Sequence, residues 1–159
     1  MNNQEVRIVS LPPIRVASFH AFSSSPELDA WEKAYAWAKA HDCWQEAPAT
    51  RIFGFNNPDP SVGSPNYGYE FWVSVGPQVL PDGDLKVIEF SGGMYAVLRC
   101  DVYGDPGEII PRTWEKLVKW FESSHYKHGT HQWLEEHLKF IDLPFEKYEM
   151  RLFLPVVKR

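Results

Sequence analysis

The sequence predicts an α+β fold built by internal duplication. Three observations carry this expectation. Trp31-Glu32-Lys33, with Trp37, returns as Trp114-Glu115-Lys116, with Trp120, 83 residues on. Ile8 through Pro12-Pro13 into Ile14-Arg15-Val16-Ala17 aligns with Ile88 through Gly92-Gly93 into Met94-Tyr95-Ala96-Val97 at a shift of 80 residues. Tyr69-Glu70 aligns with Tyr148-Glu149 at a shift of 79. Small changes of shift mark insertions in loops, so the order strand, strand, helix, strand, strand occurs twice, too few copies for a solenoid.

Period-two alternation and β-branched content place four strands in each half. They fall at about 5–11, 14–22, 50–56 and 67–75, then about 85–91, 93–101, 131–139 and 147–157. Pro12-Pro13 and Gly92-Gly93 interrupt the start of each half, where a strand must bend or leave its ladder. Each half is therefore expected to begin with a kinked hairpin-like pair or one long bent strand. In the first helix Ser25 is positioned to cap, Pro26 suits the first helical position and Glu27 favours the positive end of the dipole. Trp31, Ala34, Tyr35 and Ala38 form its apolar stripe. The second helix is expected to begin near Pro111, with Trp114, Leu117, Val118 and Phe121 at the same offsets, the spacing that packs on a sheet. Trp37 and Trp120 fall off these stripes and serve either a seam between the halves or the edge of the core. Turn-rich residues 56–66 and 76–84 read as long loops. The expected organisation is one domain over 1–159, with halves at about 5–76 and 85–157, a linker at 77–84 and pseudo-twofold symmetry.

Composition narrows the function. The 159 residues are 44% apolar and 23% charged, which suits a folded globular chain. The net charge is −5 and no Lys/Arg run is present, which leaves nothing to neutralise phosphates and argues against a direct nucleic-acid partner. No stretch approaches the ~20 apolar residues that span a bilayer, and the opening MNNQEVRIVS lacks a signal-peptide core, so a cytoplasmic protein is expected. Cys43 and Cys100 are far apart without CxxC spacing, which fits a reducing compartment and argues against a disulfide or thiolate metal site. Seven Trp, seven Tyr and ten Phe exceed what a plain core requires and direct attention to an aromatic-lined site.

Known catalytic signatures are missing: the sequence contains no GxSxG, GxxxxGK, GxGxxG after a strand, or HExxH. No cofactor is expected. His125, His128 and His131 are spaced by three, but Gly129 breaks the run and leaves the imidazoles no common face, so no metal site is expected.

The informative segment is His131 to Leu138. In a strand, Trp133, Glu135 and His137 share one face, and Leu134, Glu136 and Leu138 share the other. A carboxylate between an indole and an imidazole describes either a solvated sheet face or a pocket floor, where aromatic faces add to the attraction of a cation. Glu70 and Trp72 repeat the theme in the first half. If the halves pack about a twofold axis, both pairs can face one central cleft.

These features together resemble the GyrI-like effector-binding domain, the ligand-binding half of many AraC- and MerR-type multidrug-sensing regulators. The resemblance rests on the duplicated halves, Pro-x-Thr-Trp-Glu-Lys-Leu at 111–117, Trp-Leu-Glu-Glu-His at 133–137, Leu-Phe-Leu-Pro-Val at 152–156 and Tyr-Gly-Tyr-Glu-Phe-Trp-Val at 67–73. It implies an antiparallel sheet of about eight strands with two helices on one face, and a cleft that takes amphipathic, often cationic, small molecules. In that family a Glu in the penultimate strand, followed two residues later by an aromatic, lies at the cleft floor. Glu135 with His137 is the best match, and Glu136 with Leu138 is the competing register. An imidazole in the aromatic's place can take a proton and repel a cation.

The resemblance implies a small-molecule binding protein; the family's regulators carry a helix-turn-helix DNA-binding part for which this sequence has no room, and a monomer or dimer is expected. Its ligand site would comprise Glu135, Trp133, His137, Glu70 and Trp72. Two alternatives come with the family. One is a protein-interaction module of the gyrase-inhibitor kind. The other is a hydrolase of reactive cyclopropane-bearing compounds, with Glu135 and Trp133 or Trp72 as the working pair.

Overall fold

The computed structural model describes residues 5–42, 50–138 and 148–159. Cys43 and residues 139 and 147, the ends of two expected strands, lie outside the described residues. The elements run β1 (Arg7–Leu11), β2 (Ile14–Ser23), α1 (Pro26–Ala40), β3 (Ile52–Asn56), β4 (Tyr67–Ser74) and β5 (Lys86–Phe90). They continue with β6 (Gly93–Val102), α2 (Pro106–Glu122), β7 (Tyr126–His128), β8 (Leu134–His137) and β9 (Tyr148–Lys158). The fold is α+β and the strand pairings within each unit are antiparallel.

Two compact units emerge, Ile14–Phe90 and, from both sides of it, Met1–Pro13 with Ser91–Arg159. The central unit has strand order β3-β4-β2-β5 with α1 on one face. Ala17, Phe19 and Ala21 of β2 stand opposite Val73, Phe71 and Tyr69 of β4, and these six residues form the face that α1 covers. Trp31 of α1 meets Phe71 at 5.3 Å between ring centroids, and Trp37 meets Phe19 at 5.6 Å. The stripe of Ala30, Trp31, Ala34 and Ala38 is buried, its small residues letting the helix approach the sheet while Trp31 supplies most of the apolar area.

The other unit has strand order β1-β6-β9-β8, with β7 pairing the end of β9. Its core joins Leu98 and Cys100 of β6, Leu117 and Phe121 of α2, and Met150, Leu152 and Leu154 of β9. Trp120, off the stripe, stacks on Tyr126 at 6.3 Å.

Several expectations are corrected. β1 and β2 do not form a hairpin-like pair: β1 pairs with β6, and β2 with β4 and β5. Pro12 and Pro13 offer no N–H to a ladder, so the chain passes between sheet partners there. At the equivalent point Gly92 has φ +75°, and a Cβ on it would strike the Leu11 carbonyl, so the turn into β6 requires glycine. The helix α2 begins at Pro106, not near Pro111, because Asp105 is its N-cap and accepts a hydrogen bond from Gly107 N at 2.9 Å. Pro111 is an interior residue of the helix, sitting where one missing N–H and a glycine four residues back make it tolerable. Ser25 occupies the N-cap of α1 but makes no side-chain capping bond. Ser23 replaces it, its hydroxyl accepting from Ser25 N at 3.1 Å and donating to Asp29 at 2.6 Å.

Candidate functional site

Strand β8 is short and has two very different faces. Glu135 stands opposite Leu152 and His137 opposite Met150, both core residues beneath α2. Glu135 and His137 therefore lie on the α2-bearing face. Glu136 stands opposite Arg151 on the other face, beside buried Leu134; it is 4% exposed and its carboxylate is 3.8 Å from the Arg151 guanidinium. The two registers left open by the sequence are thus occupied by two acids with different surroundings.

Glu135 accepts a hydrogen bond from the indole N–H of Trp114 at 3.1 Å. Trp114 packs against Trp133 with centroids 5.4 Å apart, and Trp133 in turn lies 5.9 Å from His128. The loop residue Trp133 is 39% exposed, so the indole pair runs from the acid toward solvent. His137 lies against Tyr148 at 6.5 Å, and burial lowers its pKa to about 4. The imidazole is therefore neutral at pH 7 and puts no positive charge beside Glu135. The structure thus brings together Glu135, Trp133 and His137, and adds Trp114, which helical spacing marks only as packing. Trp114 also walls a shallow depression of about 600 Å³ along α2 with Pro111, Val118 and Glu115.

Glu70 and Trp72 are joined directly, but in the central unit and on the sheet face away from α1. The indole N–H of Trp72 and the hydroxyl of Ser18 both donate to Oε2 of Glu70 at 2.7 Å, and Asn57 Nδ2 donates to Oε1 at 3.1 Å. Trp72 is 6% exposed, with Phe55 at 4.9 Å and Phe90 at 5.1 Å, so its ring is core and only its N–H serves the acid. Glu70 also lines a groove of about 1060 Å³ in this unit, larger than the depression beside Trp114.

The histidine triplet is dispersed. The His128 ring lies 4.0 Å from that of Phe121, whereas His131 is bonded to the Met94 carbonyl at 2.7 Å and sits against Tyr95. Among the described residues no three His, Cys, Asp or Glu side chains come together to hold a metal. Cys100 is buried and donates to Thr113 Oγ1 at 3.4 Å, and burial raises its pKa. Among the described residues no helix is long and apolar enough to cross a membrane.

With this geometry in hand, a family model described as Cass2, integron-associated effector binding protein, matches residues 7–156. The chain belongs to this family. It is an effector-binding domain of the GyrI-like kind. No curated protein matches the sequence significantly.

Four similar solved structures extend the comparison at the level of fold. The C-terminal domain of EcmrR has a TM-score of 0.72 at 15% identity, over 99% of this chain and 100% of that one. In a complex of EcmrR with DNA the TM-score is again 0.72 at 13% identity, over 98% of this chain, which spans only 58% of that protein. SAV2435 bound to tetraphenylphosphonium gives 0.59 at 14% identity, over 96% of this chain and 94% of that one. A hydrolase from Listeria innocua gives 0.64 at 14% identity, over 96% and 92%.

Proposed function

We propose that this Cass2-family protein binds a small amphipathic molecule, cationic or aromatic, at the α2 face of β8. The observation that carries the reading is the Glu135 carboxylate held by Trp114 beside Trp133, with a neutral imidazole next to it. A carboxylate among rings offers charge complementarity to an organic cation, and an indole face contributes about 0.5–2 kcal/mol to the attraction. Trp133 is the exposed ring that would meet the ligand, and His137 bounds the site without opposing its charge. The tetraphenylphosphonium held by SAV2435 is an organic cation of this class and supports the choice of probe.

The test is a fluorescence titration of the full chain with tetraphenylphosphonium, a neutral aromatic and an aromatic anion. Saturable quenching by the cation that weakens about tenfold or more in Glu135→Gln is expected. Flat titrations, or affinity indifferent to the substitution, would overturn the reading. Slow consumption of a strained electrophile that stops in Glu135→Gln would instead place the same acid in hydrolysis.

A further inference from the structure

In the central unit one strand edge is only half covered. Strand β5 pairs with β2 from Ile14 to Ser18, the last pair being Ser18↔Lys86, whereas β4 pairs with β2 as far as Ser23↔Tyr67. Val75 N donates to the Arg15 carbonyl at 2.9 Å, so the backbone groups of Arg15 point toward β4. That direction alternates along an antiparallel ladder, so Phe19, Ala21 and Ser23 also bond toward β4, while His20 and Phe22 turn their N–H and C=O groups to the uncovered side. Among the described residues no backbone group bonds them there, and a side chain takes up one acceptor: Lys33 Nζ donates to the His20 carbonyl at 2.9 Å. Phe22 is 56% exposed.

The groove of about 1060 Å³ lies along this edge and is lined from both faces of the sheet. Phe19 and Trp37 wall it on the α1 side, with ring centroids 5.6 Å apart, and His41 stacks on Trp37 at 4.7 Å. Ser18, His20 and Glu70 wall it on the other face, where Ser18, Trp72 and Asn57 hold the Glu70 carboxylate in position. A cavity at a sheet edge that opens to both faces has the shape of an absent strand, because the side chains of a strand alternate between the faces. A compact ligand on one face leaves the other unfilled.

We propose that the free half of β2 receives an extended peptide segment of another protein, added antiparallel to the sheet in line with β5 and carrying an apolar residue followed by a basic one. The apolar residue stands opposite Ala21 and turns to the α1 face, where Phe19 and Trp37 line the groove. The basic residue stands opposite His20 and turns to the other face, which carries Glu70. Backbone bonds to His20 and Phe22 give such a segment its affinity, and the alternating side chains give it specificity. A basic residue suits the charges present, since Glu70, Asp82 and Asp84 line the groove against Lys86 and a Lys33 already bonded to His20. This inference uses none of the residues that carry the Glu135 reading.

The test is an ¹H–¹⁵N NMR titration of the full chain with acetyl-Thr-Val-Phe-Lys-amide, whose valine and lysine fall opposite Phe22 and His20. Saturable shifts are expected at Phe19 to Phe22 and at the Trp37 indole, and the His20 and Phe22 amides should gain protection from hydrogen exchange. An ester in place of the amide at the valine or the lysine should weaken binding about fivefold, because those N–H groups face β2. An ester at the phenylalanine, whose N–H faces away, should change the affinity less than about twofold. Norleucine in place of the lysine should weaken binding to the wild type about fivefold and leave binding to Glu70→Gln unchanged. The ester comparisons alter the peptide alone, so the fold of the protein does not enter them. No saturable shift at these positions, equal losses from the three esters, or a lysine preference that survives Glu70→Gln would overturn the proposal. A concentration-dependent dimer with the His20 and Phe22 amides protected and no response to the peptide would assign the edge to a second copy of this chain, and would overturn it as well.

Discussion

The indole N–H of Trp114 reaches from α2 to the Glu135 carboxylate of β8 across 3.1 Å, while the same ring packs on Trp133. One side chain therefore works both as part of the helix stripe and as the group that orients the acid. Removing only the N–H separates the two roles. Trp114→Phe keeps an aromatic ring at the position and should cost about 1–3 kcal/mol for the lost bond to a carboxylate. Urea unfolding measures that cost, and tetraphenylphosphonium affinity measured in parallel should change because the acid is no longer held in one orientation.

Glu135 and Glu136 are neighbours in sequence with opposite consequences. Glu135→Gln should weaken cation binding, whereas Glu136→Gln, on the face that carries Arg151, should leave it within about twofold. A titration of both variants side by side checks the difference. Equal losses would place the ligand elsewhere than on the α2 face.

The buried imidazole of His137 predicts a pH signature. Its pKa is lowered to about 4 in the folded protein from 6.5, so between these values the unfolded chain binds the extra proton. Stability should therefore fall as pH drops through that window, by up to about 3 kcal/mol from this group. The contribution is fully present above pH 6.5. Urea unfolding at pH 7.5 and 4.5 should show a smaller pH dependence in His137→Phe than in the wild type. Cation affinity between pH 6 and 8 should also show no imidazole transition from this residue.

The helix starts give a pair of opposite expectations. Asp105→Ala removes a capping bond to Gly107 N and should cost about 1 kcal/mol. Ser25→Ala removes no capping bond and should stay within about 0.5 kcal/mol. Thermal unfolding of the two variants compares them directly. The Asp105-Pro106 pair is a cap followed by proline at the first helical position, a start signal readable in the sequence but overshadowed there by Pro111.

Much of the fold was legible because its signals are local or repeated. The duplication, the two helical stripes and the alternation in β2, β4, β6 and β9 follow from spacing alone. The pairing of β1 with β6 was not legible, since two prolines show that a ladder ends but not where the freed strand goes. At the site, the alternation of β8 put Glu135 and His137 together and Glu136 opposite them, without saying which face meets α2. Leu152 and Met150 decide that, through their place in the core beneath the helix. The bond from Trp114 to Glu135 was not legible, because spacing locates the ring but not the partner of its N–H.

By itself the sequence determined the duplicated α+β pattern, the acids and rings of the candidate site, and the family to which they point. Tertiary structure decided the partners. It gave Glu135 to Trp114, Glu136 to Arg151 and Glu70 to Ser18, Trp72 and Asn57, and it surrounded the His137 imidazole so that burial lowers its pKa. The physical reason is one of range. Periodicity is set by the geometry of neighbouring residues along the chain, whereas hydrogen bonding and burial depend on groups brought close only when strands and helices pack.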